Sequence, residues 1–130
     1  MKRGEVYFIA RRHTVGCEIA KGRPAVIVST DELNATSAVL EVVFLTTKPK
    51  RDMGTHTIVN ATGRPSTACC EQISTVSKLL VGSYCGRCTD EEMKAIDRAL
   101  MRSLGLGRVI TKLPEKKGRW WKRSKKEETT

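Results

Sequence analysis

The residues best suited to chemistry lie in one short segment, residues 16–24, where an acid and two bases stand among glycines. They are Glu18, Lys21 and Arg23, and an apolar run begins directly after them at Pro24. Because a residue before proline is biased towards extended geometry, Arg23 should project from the start of a strand. A guanidinium held in this way can bind a phosphate through two parallel hydrogen bonds. The alternative, which local chemistry leaves open, is a surface ion pair between Arg23 and Glu18.

A second polar group of side chains follows the apolar run at residues 39–45. It consists of Thr46, Thr47 and Lys48, that is, two hydroxyls followed by a cation. Strict alternation along a strand puts Thr46 on the face of Phe44 and Thr47 on the opposite face, with Glu41. Which of the two threonines faces a site therefore stays open at this point.

Cysteine spacing raises the question of a redox or metal site. Cys85 and Cys88 form a C-x-x-C motif, but the thioredoxin motif lies at a helix N-terminus within a βαβ unit, which the sequence does not predict. A zinc site would need two more ligands at a fixed spacing from this pair. The odd count of five cysteines argues against a closed disulfide framework. We therefore expect free thiols, with neither a metal nor a cofactor.

The elements that must hold these residues are mainly strands. A polar turn is expected at residues 30–37 and a long loop at residues 11–22. Runs of β-branched and apolar residues predict five or six short strands, at residues 5–10, 24–29, 39–47, 55–60, 67–71 and 73–80.

One helix is predicted after the strands. Thr89 and Glu92 have the spacing of a capping box, an apolar stripe runs from Met93 to Leu104, and Gly105 can end the helix. Strands followed by a single helix indicate a mainly β, α+β protein in which the helix packs on a curled antiparallel sheet.

Several motifs along the chain, taken together, resemble one known family. They are R-G-E-V-Y at residues 3–7, G-x-E-x-x-K-G-R-P-A-V-I-V at 16–28, L-T-T at 45–47, T-H at 55–56 and E-Q-I-x-T at 71–75. In order and spacing they resemble the toxins of the MazF/PemK family, and the closing helix extends the likeness over residues 2–106. Each motif is weak alone, whereas the ordered set is specific.

The resemblance implies a fold, a reaction and partners. The fold would be an SH3-like antiparallel β-barrel that forms a homodimer. The activity would be that of a type II toxin, a sequence-specific, metal-independent endoribonuclease acting on single-stranded RNA and held inactive by a cognate antitoxin. In that reaction the ribose 2′-OH attacks the adjacent phosphate and leaves a 2′,3′-cyclic phosphate.

Site roles follow from the same resemblance. Arg23 matches the family's catalytic arginine and Thr46 its catalytic threonine. Since arginine stays protonated, Arg23 is expected to stabilise transition-state charge or donate a proton, while Thr46 orients the phosphate or the 2′-OH. The expected RNA-binding residues are Glu18 and Gln72 for bases, Lys21 and Lys48 for phosphates, and Thr47.

The chain also departs from its relatives. Cys17 stands where some relatives have a loop histidine, and Cys69 where some have an arginine two positions before a catalytic aspartate, here Glu71. These changes favour an Arg/Thr site over a His/Asp/Arg one. The T-H motif predicts a structural or groove-edge role for His56. The cysteines at 69, 70, 85 and 88 replace apolar strand residues of the relatives and should be buried thiols.

The positive charge lies largely in a tail. The chain has a formal net charge of +10, with +4 on residues 1–104 and +6 on residues 105–130. We therefore expect one toxin-like domain at residues 1–106 and a basic, disordered tail at 107–130. Trp120 and Trp121 in this tail could grip single-stranded RNA or an anionic membrane surface, or simply lie in a solvated tail.

The cell compartment and an alternative function complete the expectations. No run of 18 apolar residues and no cleavable signal pattern occurs, so a cytoplasmic protein without membrane contact is expected. The alternative function is a non-catalytic nucleic-acid-binding module, or a gyrase poison of the CcdB type, on the same fold.

Overall fold

The chain folds into one antiparallel sheet followed by a helix. The structure, a computed structural model, describes residues 1–10, 22–49, 51 and 54–106. Their elements in chain order are β1 (Glu5–Ile9), β2 (Arg23–Ile27), α1 (Asp31–Thr36), β3 (Val39–Thr46), β4 (His56–Val59), β5 (Ser66–Ser77), a 3-10 turn (Lys78–Leu80), β6 (Val81–Arg87) and α2 (Asp90–Leu104).

The strand order of the sheet is β4-β5-β3-β2-β1-β6. Every neighbouring pair is antiparallel, which confirms the predicted mainly β class with a C-terminal helix. Within the described ranges β4 and β6 are the two edges, so the sheet is not a closed barrel. The backbone at Gly86 in β6 passes so close to Ala61, just after β4, that an added Cβ would overlap its carbonyl oxygen.

The central strands β2 and β3 carry buried residues on both faces, which explains why Ala25–Ile27 and Val42–Leu45 are apolar without alternation. Val26 and Val43 belong to a core on one face, where Ile96 and Ala99 of α2 also pack. The sequence neighbours of these two valines face the opposite side of the sheet, where the core is formed by Ile9, Ala25, Ile27, Leu40 and Val42. Two-sided burial fixes the register of these strands, since a slip of one residue would exchange the two faces.

The predicted ends of α2 are confirmed. The Thr89 side chain accepts from the Glu92 N–H while the Glu92 side chain accepts from the Thr89 N–H, which completes the capping box. Gly105 ends the helix in the left-handed region, with φ of 76°. Among the described residues, no helix has the length and apolar character needed to cross a membrane.

Two element predictions were wrong. Residues 30–37 were expected to form a turn, but Asp31–Thr36 is a helix capped by Thr30, and its buried Asn34 is hydrogen-bonded to Ser29. Residues 67–71 and 73–80 were expected to be two strands, but Ser66–Ser77 is one strand that pairs with β4 and β3, and Lys78–Leu80 is a 3-10 turn. The loop at 11–21 and the tail at 107–130 lie outside the described residues, including Cys17, Trp120 and Trp121.

Candidate active-site groove

A groove of 770 Å³ lies where β2 begins, β3 ends and β5 passes between its neighbours. Among the residues that line it are five of the seven predicted site residues, Arg23, Thr46, Thr47, Lys48 and Gln72. The other two, Glu18 and Lys21, lie outside the described residues. The fold therefore gathers into one cavity side chains that are up to 49 positions apart in sequence.

Strand register explains why Arg23 and Thr46 meet. In the β2–β3 pair, Ala25 stands opposite Phe44 and Val26 opposite Val43. Continuing this antiparallel register by two residues places Arg23 opposite Thr46, one at the first position of β2 and the other at the last position of β3. Both strands are anchored by buried cores, so the two side chains are held on rigid backbone.

Thr46 and Thr47 both line the groove, although strict alternation along β3 would have placed only one of them there. Alternation stops applying where β3 ends at Thr46, and Thr47 already lies in a bend. The Thr46 hydroxyl oxygen accepts a hydrogen bond from the Lys48 N–H at 3.1 Å. A hydroxyl that accepts from the backbone can still donate its own proton to a phosphate oxygen.

Arg64 is a groove residue that the sequence analysis did not select. It lies in a turn between β4 and β5, is exposed, and lines the groove with Arg23 and Lys48. The sequence did contain a signal for Arg64, because residues 63–65 repeat the Gly-Arg-Pro tripeptide of residues 22–24. In both copies the arginine precedes a proline and is biased to extended geometry. Among the described residues, the groove thus has three cationic side chains suited to a polyanion.

The part of β5 that lines the groove carries a polar network around Glu71. The Thr55 hydroxyl donates to one oxygen of this carboxylate at 2.7 Å, and Nε2 of His56 lies 3.1 Å from the other. Burial acts to raise the pKa of Glu71, but the hydrogen bonds from Thr55, the backbone and His56 outweigh it and lower this pKa below its ordinary value. Glu71 is therefore a carboxylate at neutral pH. Of the structural or groove-edge role expected for His56, the structure shows a contact with this carboxylate.

Comparisons with known proteins identify the family. A family model described as "PemK-like, MazF-like toxin of type II toxin-antitoxin system" matches residues 2–104. The chain belongs to this family.

Individual relatives agree with the PemK/MazF assignment. Endoribonuclease EndoA of Bacillus subtilis (strain 168) is 32% identical over 111 residues, which span 82% of this chain and 96% of the relative. A solved endoribonuclease from a mycobacterial species superposes with a TM-score of 0.67 at 27% identity, covering 81% of this chain and 91% of that one. A mycobacterial endoribonuclease solved in complex with its cognate antitoxin gives a TM-score of 0.65 at 30% identity, covering 82% and 96%.

The described cysteines of this PemK/MazF chain are thiols and not disulfides. The prediction of burial is confirmed for Cys69, Cys70 and Cys88 but is wrong for Cys85, which is half-buried and lines the groove at the open edge of the sheet. Burial raises the pKa of Cys70 to about 12 and that of Cys88 to about 11, helped by the charges of Glu71 and Glu92 respectively. Thiols held protonated in this way are poor nucleophiles.

Proposed function

We propose that this chain is an endoribonuclease toxin that cleaves single-stranded RNA in the groove. The observation that carries the proposal is the convergence of Arg23 and Thr46, with Lys48 and Arg64, on one open cavity. The relatives at 27% to 32% identity are themselves called endoribonucleases, which supports the same activity here. Membership of a toxin family supports the biological role.

The chemistry that suits these residues is transesterification within the RNA strand. The 2′-OH gives up its proton to solvent water, its oxygen attacks the adjacent phosphorus, and the bond to the 5′-oxygen breaks. The 5′-oxygen takes up a proton, so the products are a 2′,3′-cyclic phosphate and a 5′-hydroxyl. Arg23 stabilises the charge that develops on the phosphoryl oxygens or gives a proton to the departing 5′-oxygen, because a guanidinium cannot serve as a base at neutral pH. Thr46 donates its hydroxyl proton to a phosphate oxygen and so fixes the reacting group.

RNA binding is divided between phosphate and base contacts. Lys48 and Arg64 are exposed cations at the groove and bind phosphates along the strand. Gln72 and Thr47 present an amide and a hydroxyl that can read base edges, as single-stranded RNA allows. Glu18 and Lys21 are proposed to add one base and one phosphate contact.

The proposed partners are an antitoxin and a second copy of the chain. The complex solved for a mycobacterial relative with its cognate antitoxin supports an antitoxin partner for this chain, and we propose that this antitoxin covers the groove. We also propose that the toxin domain comprises residues 1–106, that the basic segment 107–130 is an appendage, and that the protein acts in the cytoplasm, where messenger RNA is exposed.

Brief induced expression followed by transcript-wide mapping of RNA 5′ ends tests this function. New 5′ ends at one recurring sequence are expected for the parent and absent for Arg23→Ala. Intact transcripts accompanied by DNA breaks would refute the nuclease and indicate a gyrase poison. Intact transcripts and intact DNA, with growth arrest retained, would indicate a non-catalytic binder.

A further inference from the structure

Three side chains on β4 and β5, two of which line the groove, are not used by the proposed cleavage chemistry. His56, Cys69 and Glu71 offer one nitrogen, one sulfur and one oxygen atom, and these atoms lie within 4.8 Å of one another. The register of β4 and β5 brings them together, because His56 stands opposite Cys69 and Glu71 follows two residues later on the same face of β5. We propose that they form a site for one zinc-class divalent transition-metal ion, and that the bound ion inhibits RNA cleavage.

The donor set selects the class of metal. Imidazole, thiolate and carboxylate are the three ligand types that zinc takes in proteins, usually in tetrahedral geometry. Mg²⁺ and Ca²⁺ prefer sites built from oxygen atoms, and a sulfur ligand disfavours them. The site should therefore bind Zn²⁺ and Co²⁺ and reject Mg²⁺.

The geometry is close to that of a bound site. His56 Nε2 and Glu71 Oε2 are 3.1 Å apart, whereas two ligands bonded to one tetrahedral zinc ion at about 2.0 Å are about 3.3 Å apart. All separations are at most 4.8 Å, against about 3.6 Å between nitrogen and sulfur ligands of one zinc ion. A side-chain shift of about 1 Å therefore closes the cluster. Binding replaces the Cys69 thiol proton by the ion and releases that proton to solvent.

The surroundings hold the ligands in place. The Thr55 hydroxyl donates to Glu71 Oε1 at 2.7 Å, leaving Oε2 directed at His56, which is the outer-shell support typical of zinc sites. The His56 side chain is 7% exposed and that of Glu71 is 25% exposed. The cluster is thus mostly buried, while Cys69 and Glu71 still reach the groove.

The inhibition of RNA cleavage follows from the position of the metal site, and this inhibitory role rests on the proposed function. Three protein ligands leave one coordination position for water or substrate. Since Cys69 and Glu71 line the same groove as Arg23 and Thr46, a phosphate oxygen of RNA can occupy that position. A strand held there is displaced from the cleaving residues.

Absorption spectroscopy with Co²⁺ tests the site without any reference to activity. The reduced full-length chain should bind one Co²⁺ with a thiolate-to-cobalt charge-transfer band, which one equivalent of Zn²⁺ abolishes. Cys69→Ser should lose the band and Cys85→Ser, a thiol in the same groove, should keep it. Thr55→Val should weaken Zn²⁺ binding about 10- to 100-fold, the usual effect of losing an outer-shell partner. A band that survives in Cys69→Ser, or no metal binding by correctly folded parent protein, would overturn the site.

RNA cleavage with and without Zn²⁺ tests the inhibition, each variant being compared with its own metal-free rate. Zn²⁺ at saturation should stop the parent and leave the rate of Cys69→Ser unchanged, while Mg²⁺ affects neither. Equal inhibition of both proteins, or activation of the parent, would refute the inhibitory role. If the metal-free parent cuts no RNA, the proposed function fails while the cobalt measurement still decides the metal site.

Discussion

Replacing Thr46 by valine should separate catalysis from folding. Valine keeps the β-branched shape at the end of β3 but removes the hydroxyl. In the free protein that hydroxyl accepts from the exposed N–H of Lys48 at 3.1 Å. Water can replace this exposed acceptor, so the free energy of unfolding should fall by less than about 1 kcal/mol.

The effect on cleavage should be larger. A hydrogen bond to a charged phosphate contributes about 1.5–3 kcal/mol, and loss of that amount in the transition state lowers kcat about 10- to 150-fold. If the bond forms mainly in the transition state, KM should change little.

The assay is single-turnover cleavage of an end-labelled RNA in the presence of a chelator, with thermal unfolding of each protein measured in parallel. Thr46→Ser is the matched control because it retains the hydroxyl, and it should cut within a few-fold of the parent rate. Cleavage by Thr46→Val at the parent rate would refute the role of this hydroxyl, and so would an equal loss in Thr46→Ser.

Three further predictions concern other parts of the groove and core. Arg64→Ala should weaken binding of uncleaved RNA and reduce the slope of log affinity against log salt by about 0.7, the value for one phosphate contact on a single strand. The control is Arg98→Ala, which changes an exposed arginine on α2 outside the groove and should leave that slope unchanged. Identical slopes for the parent and both variants would contradict the contact. Native alkylation followed by tryptic mapping should label Cys85 before Cys88, and the reverse order would contradict the burial described. The pKa of Cys88 is raised to about 11 in the folded chain, against about 8.5 in the unfolded chain. The protonated Cys88 thiol therefore stabilises the folded chain fully below about pH 8.5, and this stabilisation is lost as the pH rises towards 11. The melting temperature of the parent should therefore fall more steeply over this range than that of Cys88→Ala, and parallel curves would show that Cys88 is not the cause.

Local signals in the sequence were sufficient for the parts of the site that lie at strand ends. Arg23 precedes a proline and a buried strand, and Thr46 follows another buried strand, so their positions depend on strongly patterned segments. Capping residues likewise predicted α2, because Thr89, Glu92 and Gly105 act on their own helix.

Features that depend on pairing across the fold were not predictable in the same way. The cluster of His56, Cys69 and Glu71 exists only because of the β4–β5 register, and its ligands show no characteristic sequence spacing. Arg64 reaches the groove from the turn between β4 and β5, and the pairing of these two strands sets the direction of that turn. A helix as short as α1 is marginal on its own, and its anchor is the buried contact between Ser29 and Asn34.

The prediction of two strands where the structure has the single strand β5 was wrong for a related reason. Its first five residues, Ser66–Cys70, are all buried, while the following residues are mostly half-exposed. The pairing with β3 also shifts between Val43 and Leu45. The change of pattern along one continuous strand therefore reflects a change of surroundings, not a chain break.

The most direct test of the central claim is cleavage of a long single-stranded RNA by the purified chain in excess chelator, with chemical analysis of the new ends. The parent should produce 2′,3′-cyclic phosphate and 5′-hydroxyl ends. Arg23→Ala should reduce the rate by about 100-fold or more, as expected for loss of a transition-state charge partner, while Arg98→Ala cuts normally. Intact RNA with the parent protein, or cleavage by folded Arg23→Ala at the parent rate, would contradict the account.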